Sequence, residues 1–180
     1  VNGKIIKKIK KIKKILNIEC LICDYNQCSL LVLDSKLNQI IKINLDKIHD
    51  VKISFQKCNR SKISFENSKL CLIDNDKYIF SNNDELYLLD SKFNKIKKIS
   101  KPGRDGPYTF RKVTSIKHFN KQIIICDSLN YKIKIYDLNF KFLKSFGGKG
   151  IGIKNLDLPV ALDVFQNTLF LADMNNDRIL

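Results

Sequence analysis

Few residues of this 180-residue chain stand in patterns that do chemistry. Cys20 and Cys23 form a C-x-x-C pair, the spacing of zinc knuckles and thioredoxin-like sites. In an extended strand, residues three apart point to opposite faces, and no second cysteine or histidine pair follows to complete four ligands. Neither metal nor cofactor is expected. The six cysteines (20, 23, 28, 58, 71 and 126) sit mostly in apolar runs, where a thiol acts as a small hydrophobe. Free thiols in strands favour a reducing compartment, so a cytoplasmic location is expected. His49 and His118, the two histidines, stand in no nucleophile or metal motif. Gly147-Gly-Lys-Gly-Ile-Gly152 lacks the G-x-x-x-x-G-K-[ST] spacing and runs toward Pro159 instead of a helix, so it reads as a connector. No catalytic residue is assigned.

Cations interleaved with aromatics are the remaining candidates. Lys101-Pro-Gly-Arg104-Asp-Gly-Pro-Tyr108-Thr-Phe110-Arg111 is one such stretch and Asn130-Tyr131-Lys132 another. Basic groups hold phosphates, and aromatic rings stack bases for ~1–3 kcal/mol each. With Lys149, Lys154 and Arg178 these give the candidate binding set Arg104, Tyr108, Arg111, Tyr131, Lys132, Lys149, Lys154 and Arg178. The plainer reading of the first stretch is that Phe110 plugs a junction and the rest is solvated loop. A net charge of +15 raises affinity for polyanions. Against that, only Arg60, Arg104, Arg111 and Arg178 are arginines among 33 basic residues, in a chain crowded with isoleucine and asparagine. Bias from an A/T-rich genome spreads lysine over every face, whereas a functional basic face gathers it on one.

The elements that must carry these residues come from an internal repeat. Cys23-Asp24 through Ile43 aligns without a gap on Cys126-Asp127 through Phe146, with both aspartate pairs, Asp24/Asp34 and Asp127/Asp137, ten apart. A third copy runs from Phe80-Ser81 to Ile99, and a fourth begins at Ala172-Asp173. The anchors Asp24, Ser81, Asp127 and Asp173 are 57, 46 and 46 residues apart. Each anchor follows an apolar run such as Gln122 to Cys126 and precedes a polar turn. An alternating strand such as Ile133-Lys-Ile-Tyr136 comes next, then a second turn and another strand. A further strand precedes the anchor strand, which makes four per unit. No helical window appears, so the expected class is all-β, in four-stranded antiparallel units at about 10–45, 68–100, 112–147 and 158–180 of a single domain. The amino-terminal isoleucines at 6, 9, 12 and 15 allow a cationic amphipathic helix, but Asn2 to Ile9 resembles Asn38 to Ile43 and is read as strand. No run approaches the ~20 residues that span a bilayer, and no secretory signal is present.

Leu169-Phe-Leu-Ala-Asp173-Met-Asn-Asn176-Asp-Arg178-Ile179 resembles the signature of NHL repeats, and Asp127, Asn130, Lys132 and Ile133 match its offsets. The glycine-rich connector and Leu158-Pro159 also resemble that family, while Gln27, Ser29 and Ser81 depart from it toward the amino end. The resemblance implies a β-propeller. A ring of roughly six blades of ~45 residues exceeds this chain, so an open arc of about four blades is expected, with apolar faces uncovered and the remaining blades as partners. Asp24, Asp127, Asn130, Asp173 and Asn176 are expected to be structural, with Arg178 or Lys132 beside the turn to pair with a carboxylate. Propeller lyases gather metal-binding histidines that this chain lacks, so a non-enzymatic scaffold is expected. The resemblance also implies protein recognition, as at the substrate-binding end of tripartite-motif ubiquitin ligases. Single-stranded RNA binding by a basic face is the alternative, and a sensor or secreted propeller the third reading.

Overall fold

The structure is a computed structural model that describes residues 17–24, 29–44, 53–57, 65–74, 77–104 and 106–180. The amino-terminal lysine–isoleucine segment, read above as strand, lies outside the described residues, as do Gln27, Cys28, His49, Cys58, Arg60, Asp105 and the side chain of Asp24. The fold is all-β. Strands β1 (Ile18–Asp24), β2 (Ser29–Asp34), β3 (Gln39–Asn44) and β4 (Ile53–Lys57) make one antiparallel sheet. A second contains β5 (Ser68–Asp74), β6 (Lys77–Asn82), β7 (Glu85–Leu89) and β8 (Lys95–Lys98). After the short parallel pair β9 (Lys101–Pro102) and β10 (Thr109–Phe110) comes a third, of β11 (Val113–Phe119), β12 (Gln122–Asp127), β13 (Lys132–Asp137) and β14 (Phe142–Gly147). The last holds β15 (Pro159–Phe165), β16 (Thr168–Asp173) and β17 (Arg178–Ile179). Each is a meander in chain order, and the only helical pieces among the described residues are two three-residue 3₁₀ turns, Ser128–Asn130 and Met174–Asn176.

Strand composition follows position in the stack. In β12 the run Ile123-Ile-Ile-Cys126 does not alternate with polar residues, because both faces of the sheet are covered. Ile123 and Ile125 enter the core shared with the second sheet, whereas Ile124 and Cys126 enter the core shared with the fourth. Burying each isoleucine contributes about 1.5–3 kcal/mol. The outer strands β8 and β14 are mostly exposed, and β8 carries three lysines. Strand β1 packs on β5, β5 on β11 and β11 on β15, so the first strands line the inside of an open arc. Phe165, Phe170 and Ile179 of the last sheet remain exposed.

The turns after the third strands repeat one device. Asp90 Oδ1 accepts the Lys92 and Asn94 amides, and Asp137 Oδ1 those of Asn139 and Lys141. Phe93 and Phe140 close these turns at φ +61° and +62°, a left-handed conformation costly for an aromatic residue. Burial of both rings offsets the strain.

The first sheet departs from the repeat alignment by one strand. The alignment makes the strand ending at Asp24 a second strand, equivalent to β12, but in the structure it is β1, the inner one, and Asp34 ends the second strand. The spacing carries the sign of this: counted from Asp34 the first interval is 47 residues, close to 46, and the 57 counted from Asp24 takes in one additional strand. Asp34, fully buried, then does two jobs at once. Its Oδ1 accepts the Asn17 amide ahead of the first strand, as Asp127 and Asp173 do in their sheets, and the Lys36 and Leu37 amides of its own turn, as Asp137 does.

Candidate functional site: the connector end of the arc

Two connectors, 101–111 and 148–157, are fastened by the same set of bonds. Asp127 Oδ1 accepts the Arg111 and Lys112 amides at 3.1 and 3.4 Å, and Asp173 Oδ1 accepts the Asp157 amide at 2.7 Å. Their Oδ2 atoms each take an Asn Nδ2 at 2.7 Å, from Asn130 and Asn176. Each asparagine amide also donates to a connector glycine, Asn130 to the Gly103 carbonyl and Asn176 to that of Gly150. Those glycines in turn donate forward to the residues that plug the junctions, Gly103 N to Phe110 O and Gly150 N to Leu156 O. Phe110 and Leu156 are buried in the two inter-sheet cores. Asparagine suits the site because one amide group donates two bonds in fixed directions.

The two clamps differ in their cation. Arg178 Nε pairs with Asp173 Oδ2 at 3.0 Å. In the third sheet, Asp127 takes a lysine from the middle of the next strand: Lys134 Nζ lies 2.9 Å from Oδ2, with the lysine side chain 2% exposed and the aspartate 0%. The same ammonium donates to the Thr109 carbonyl and sits 4.4 Å from the centre of the Phe110 ring. Buried charge is tolerated only with such complete pairing. Tyr136 adds a third strap, its hydroxyl donating to the Pro107 carbonyl, and burial pushes its ionisation well above the usual phenol range. Ser81 stands where an aspartate would in the second sheet, and its buried hydroxyl has no partner among the described residues.

The candidate cations and Tyr131 line one end of the arc. The Asn130–Gly103 bond holds Arg104 beside the turn that carries Tyr131 and Lys132. Gly148 N donates to the Tyr131 carbonyl, and Lys149 Nζ lies 5.6 Å from the Tyr131 ring centre. Arg104, Lys149 and Lys154 are exposed. Arg111 donates to the Leu129 carbonyl, and Arg178 is fully engaged by the carbonyls of Ile151, Gly152 and Asn155 besides Asp173. Tyr108 departs from the group: its hydroxyl accepts the Phe142 amide at the start of the outer strand, and its ring lies 6.1 Å from Tyr136.

From Gly148 to its plug, the second connector commits most of its backbone carbonyls to hydrogen bonds. Those of Gly148, Lys149, Gly150, Ile151, Gly152, Asn155 and Leu156 all accept bonds, from Leu156 N, Asn155 Nδ2, Asn176, Arg178, Asn155 N and Gly150 N among them. The side chains of Ile151 and Ile153 are left outside, each 83% exposed, between Lys149 and Lys154. The entry to this loop demands glycine. At Gly147 (φ +103°) an added Cβ would lie 2.4 Å from the Tyr131 carbonyl and 2.8 Å from Leu156 Cδ1.

Elsewhere, the C-x-x-C cysteines sit on β1, Cys20 half-buried and Cys23 exposed. The Cys71 and Cys126 thiols are buried, which pushes both up to about 12. No group of metal-ligating side chains occurs among the described residues. A cavity of about 610 Å³ on the inside of the arc is lined by β1, β5 and β11, including Lys69, Lys117 and His118. Lys117 is tied to Asp163 across the junction at 2.9 Å.

Sequence reasoning missed Lys134 and Tyr136, which read as the alternating polar and apolar residues of an ordinary strand. It also passed over Ile151 and Ile153 because the glycines around them read only as a connector. Two isoleucines isolated among glycines in a polar loop were the available signal.

No family model matches the chain, and no curated protein matches it. Solved structures do. A catalytically inactive virginiamycin B lyase from Staphylococcus aureus with quinupristin superposes with TM-score 0.66 at 16% identity, over 96% of this chain and 54% of that one. A streptogramin B lyase gives 0.64 at 11% identity, over 90% and 50%. The WD40 domain of Neurospora crassa Pan2 gives 0.56 at 11% identity, over 86% and 43%. The chain spans about half the length of these structures, and at such identity the likeness concerns the fold alone. Four-stranded radial sheets, shared inter-sheet cores and these neighbours together make the chain an arc of a β-propeller.

Proposed function

We propose that this propeller arc is a non-enzymatic recognition platform for a protein partner, of the NHL type, and that it forms the substrate-binding end of a tripartite-motif-type ubiquitin ligase. One observation carries the reading: two successive connectors are fastened by the same Asp–Asn–glycine clamp while their tip side chains point outward. A rigid frame with solvent-facing tips lowers the ordering cost of binding. The NHL-like offsets of Asp and Asn coincide with the clamp in both sheets, and that of the basic residue with Arg178 in the last. Protein is favoured over RNA because Arg178 and Arg111 are bound to backbone carbonyls and Lys149 lies against Tyr131, which leaves few open arginines and rings for phosphates and bases.

The test uses the full-length protein with Arg104, Lys132, Lys149 and Lys154 replaced together by alanine. Proximity labelling in cells identifies the wild-type partner, and binding of that purified partner is then measured against the variant. Loss of binding supports the platform reading. A labelled oligouridylate that binds the wild type with a steep salt dependence, lost in Arg104→Ala/Arg111→Ala, selects the RNA reading instead.

A further inference from the structure

We infer that the second connector is the contact centre of the recognition face, and that its partner presents an apolar segment rimmed by carboxylates. This rests on the protein-recognition reading above and adds the chemistry of the partner. Ile151 and Ile153 are the most exposed large apolar residues of the described chain, each at 83%. Their exposure is built in: the loop that carries them has its carbonyls bonded to Asn155, Asn176 and Arg178, so it is not free to fold the side chains inward. In the first connector, whose sheet has all four strands, Arg104 follows the clamped Gly103 as Ile151 follows Gly150, and Arg104 is exposed too.

Charge around the tip sets the partner's rim. Lys149 and Lys154 flank the isoleucines and are exposed, and Met174, half-exposed, lies on the neighbouring turn. Asp157, hydrogen-bonded by Asn175, and Asp177, exposed on that turn, are carboxylates near the tip; Lys149 and Lys154 together with the exposed Arg104 and Arg111 of this end outnumber these two, so the balance stays positive. A small rigid aliphatic pair between cations fits an apolar segment with acidic flanks. A bilayer is the poorer match, since aromatic interface residues are absent from the tip and so small an apolar area anchors weakly.

The probes are three sets of short synthetic peptides: leucines flanked by glutamates, serines flanked by glutamates, and leucines flanked by lysines. Vesicles of phosphatidylcholine with phosphatidylserine form a fourth arm. The full-length protein is expected to bind the first set about tenfold or more tighter than the other two, since each buried isoleucine is worth about that factor. Ile151→Ser/Ile153→Ser should erase the preference for leucine over serine, and Lys149→Glu/Lys154→Glu should reverse the preference for acidic flanks. Unchanged thermal melting shows that these surface variants fold. No preference for the first set, a preference that survives loss of the isoleucines, or binding to vesicles alone overturns the inference. If the peptide preference instead disappears only in Arg104→Ala/Lys132→Ala, the connector end remains a binding face and only the role of this loop falls.

Discussion

Removing the charges of Lys134 and Asp127 together should destabilise the fold by clearly less than the sum of removing each singly. Asp127→Asn leaves the Lys134 ammonium, 2% exposed, with only the Thr109 carbonyl and the Phe110 ring for company. Stranding a buried charge costs ~3–5 kcal/mol, while the asparagine oxygen still serves the Arg111 and Lys112 amides. In a chain of this size ~1 kcal/mol lowers Tm by about 2–4 °C, so Asp127→Asn should melt about 6–20 °C below wild type. Lys134→Met leaves Asp127 with the Arg111, Lys112 and Asn130 donors, so its loss is smaller, ~2–3 kcal/mol. The double variant removes both charges, and the methionine fills the space against Phe110. It should recover ~2–3 kcal/mol relative to the sum of the singles. Thermal unfolding followed by far-UV circular dichroism across the four proteins gives the coupling directly. Additivity within ~0.5 kcal/mol would show that the two side chains do not act as a buried pair, and the strap on Thr109 would then have to be explained without it.

Gly147→Ala should cost ~2–4 kcal/mol, since the added carbon meets the Tyr131 carbonyl and the residue loses its positive φ; a melt within two degrees or so of wild type would contradict the loop entry described above. The buried Cys71 and Cys126 thiols hold their protons to about 12, against 9.0 for a free thiol. Unfolded chains ionise first, so stability is full below about pH 9 and falls as pH rises toward about 12, by up to ~1.4 kcal/mol per pH unit for each thiol. Urea midpoints between about pH 8 and pH 11 should therefore drop less steeply in Cys71→Ala/Cys126→Ala than in wild type, and equal slopes would refute the assignment.

The repeat was legible because its anchors sit where physics allows little choice. Asp127 and Asp173 must end their strands with buried carboxylates, so their spacing survives in the sequence. The apolar runs before them mark strands covered on both faces. What was not legible is which strand of the first sheet Asp24 ends. Asp34 unites the roles that Asp127 and Asp137 divide in the third sheet, and a period-two pattern fits either register. At the candidate site, residue type pointed to a basic connector end, but it could not tell spent cations from open ones. Arg178 and Lys154 look alike as letters; one is held by four acceptors and the other is exposed. Lys134 was overlooked because a lysine alternating with isoleucines reads as solvent-facing, and only the carboxylate of the preceding strand end turns it inward.

The paired clamp separates what must stay constant in this molecule from what is free to vary. Gly103 and Gly150 are held at one end of each connector, and Phe110 and Leu156 at the other. Between these fixed points one connector runs through 104–109 and the other through 151–155, with unrelated sequences and lengths that differ by one residue. The clamp does not register the difference, since the Asp–Asn–glycine bonds and the plugs involve only the two ends, while Lys134 and Tyr136 in one sheet and Arg178 in the other strap the intervening residues each in its own way. Evolution can therefore rewrite a tip, as a tool takes a new bit in an unchanged chuck, and a single ancestral blade could have supplied arms with different tastes in partners while keeping one way of folding.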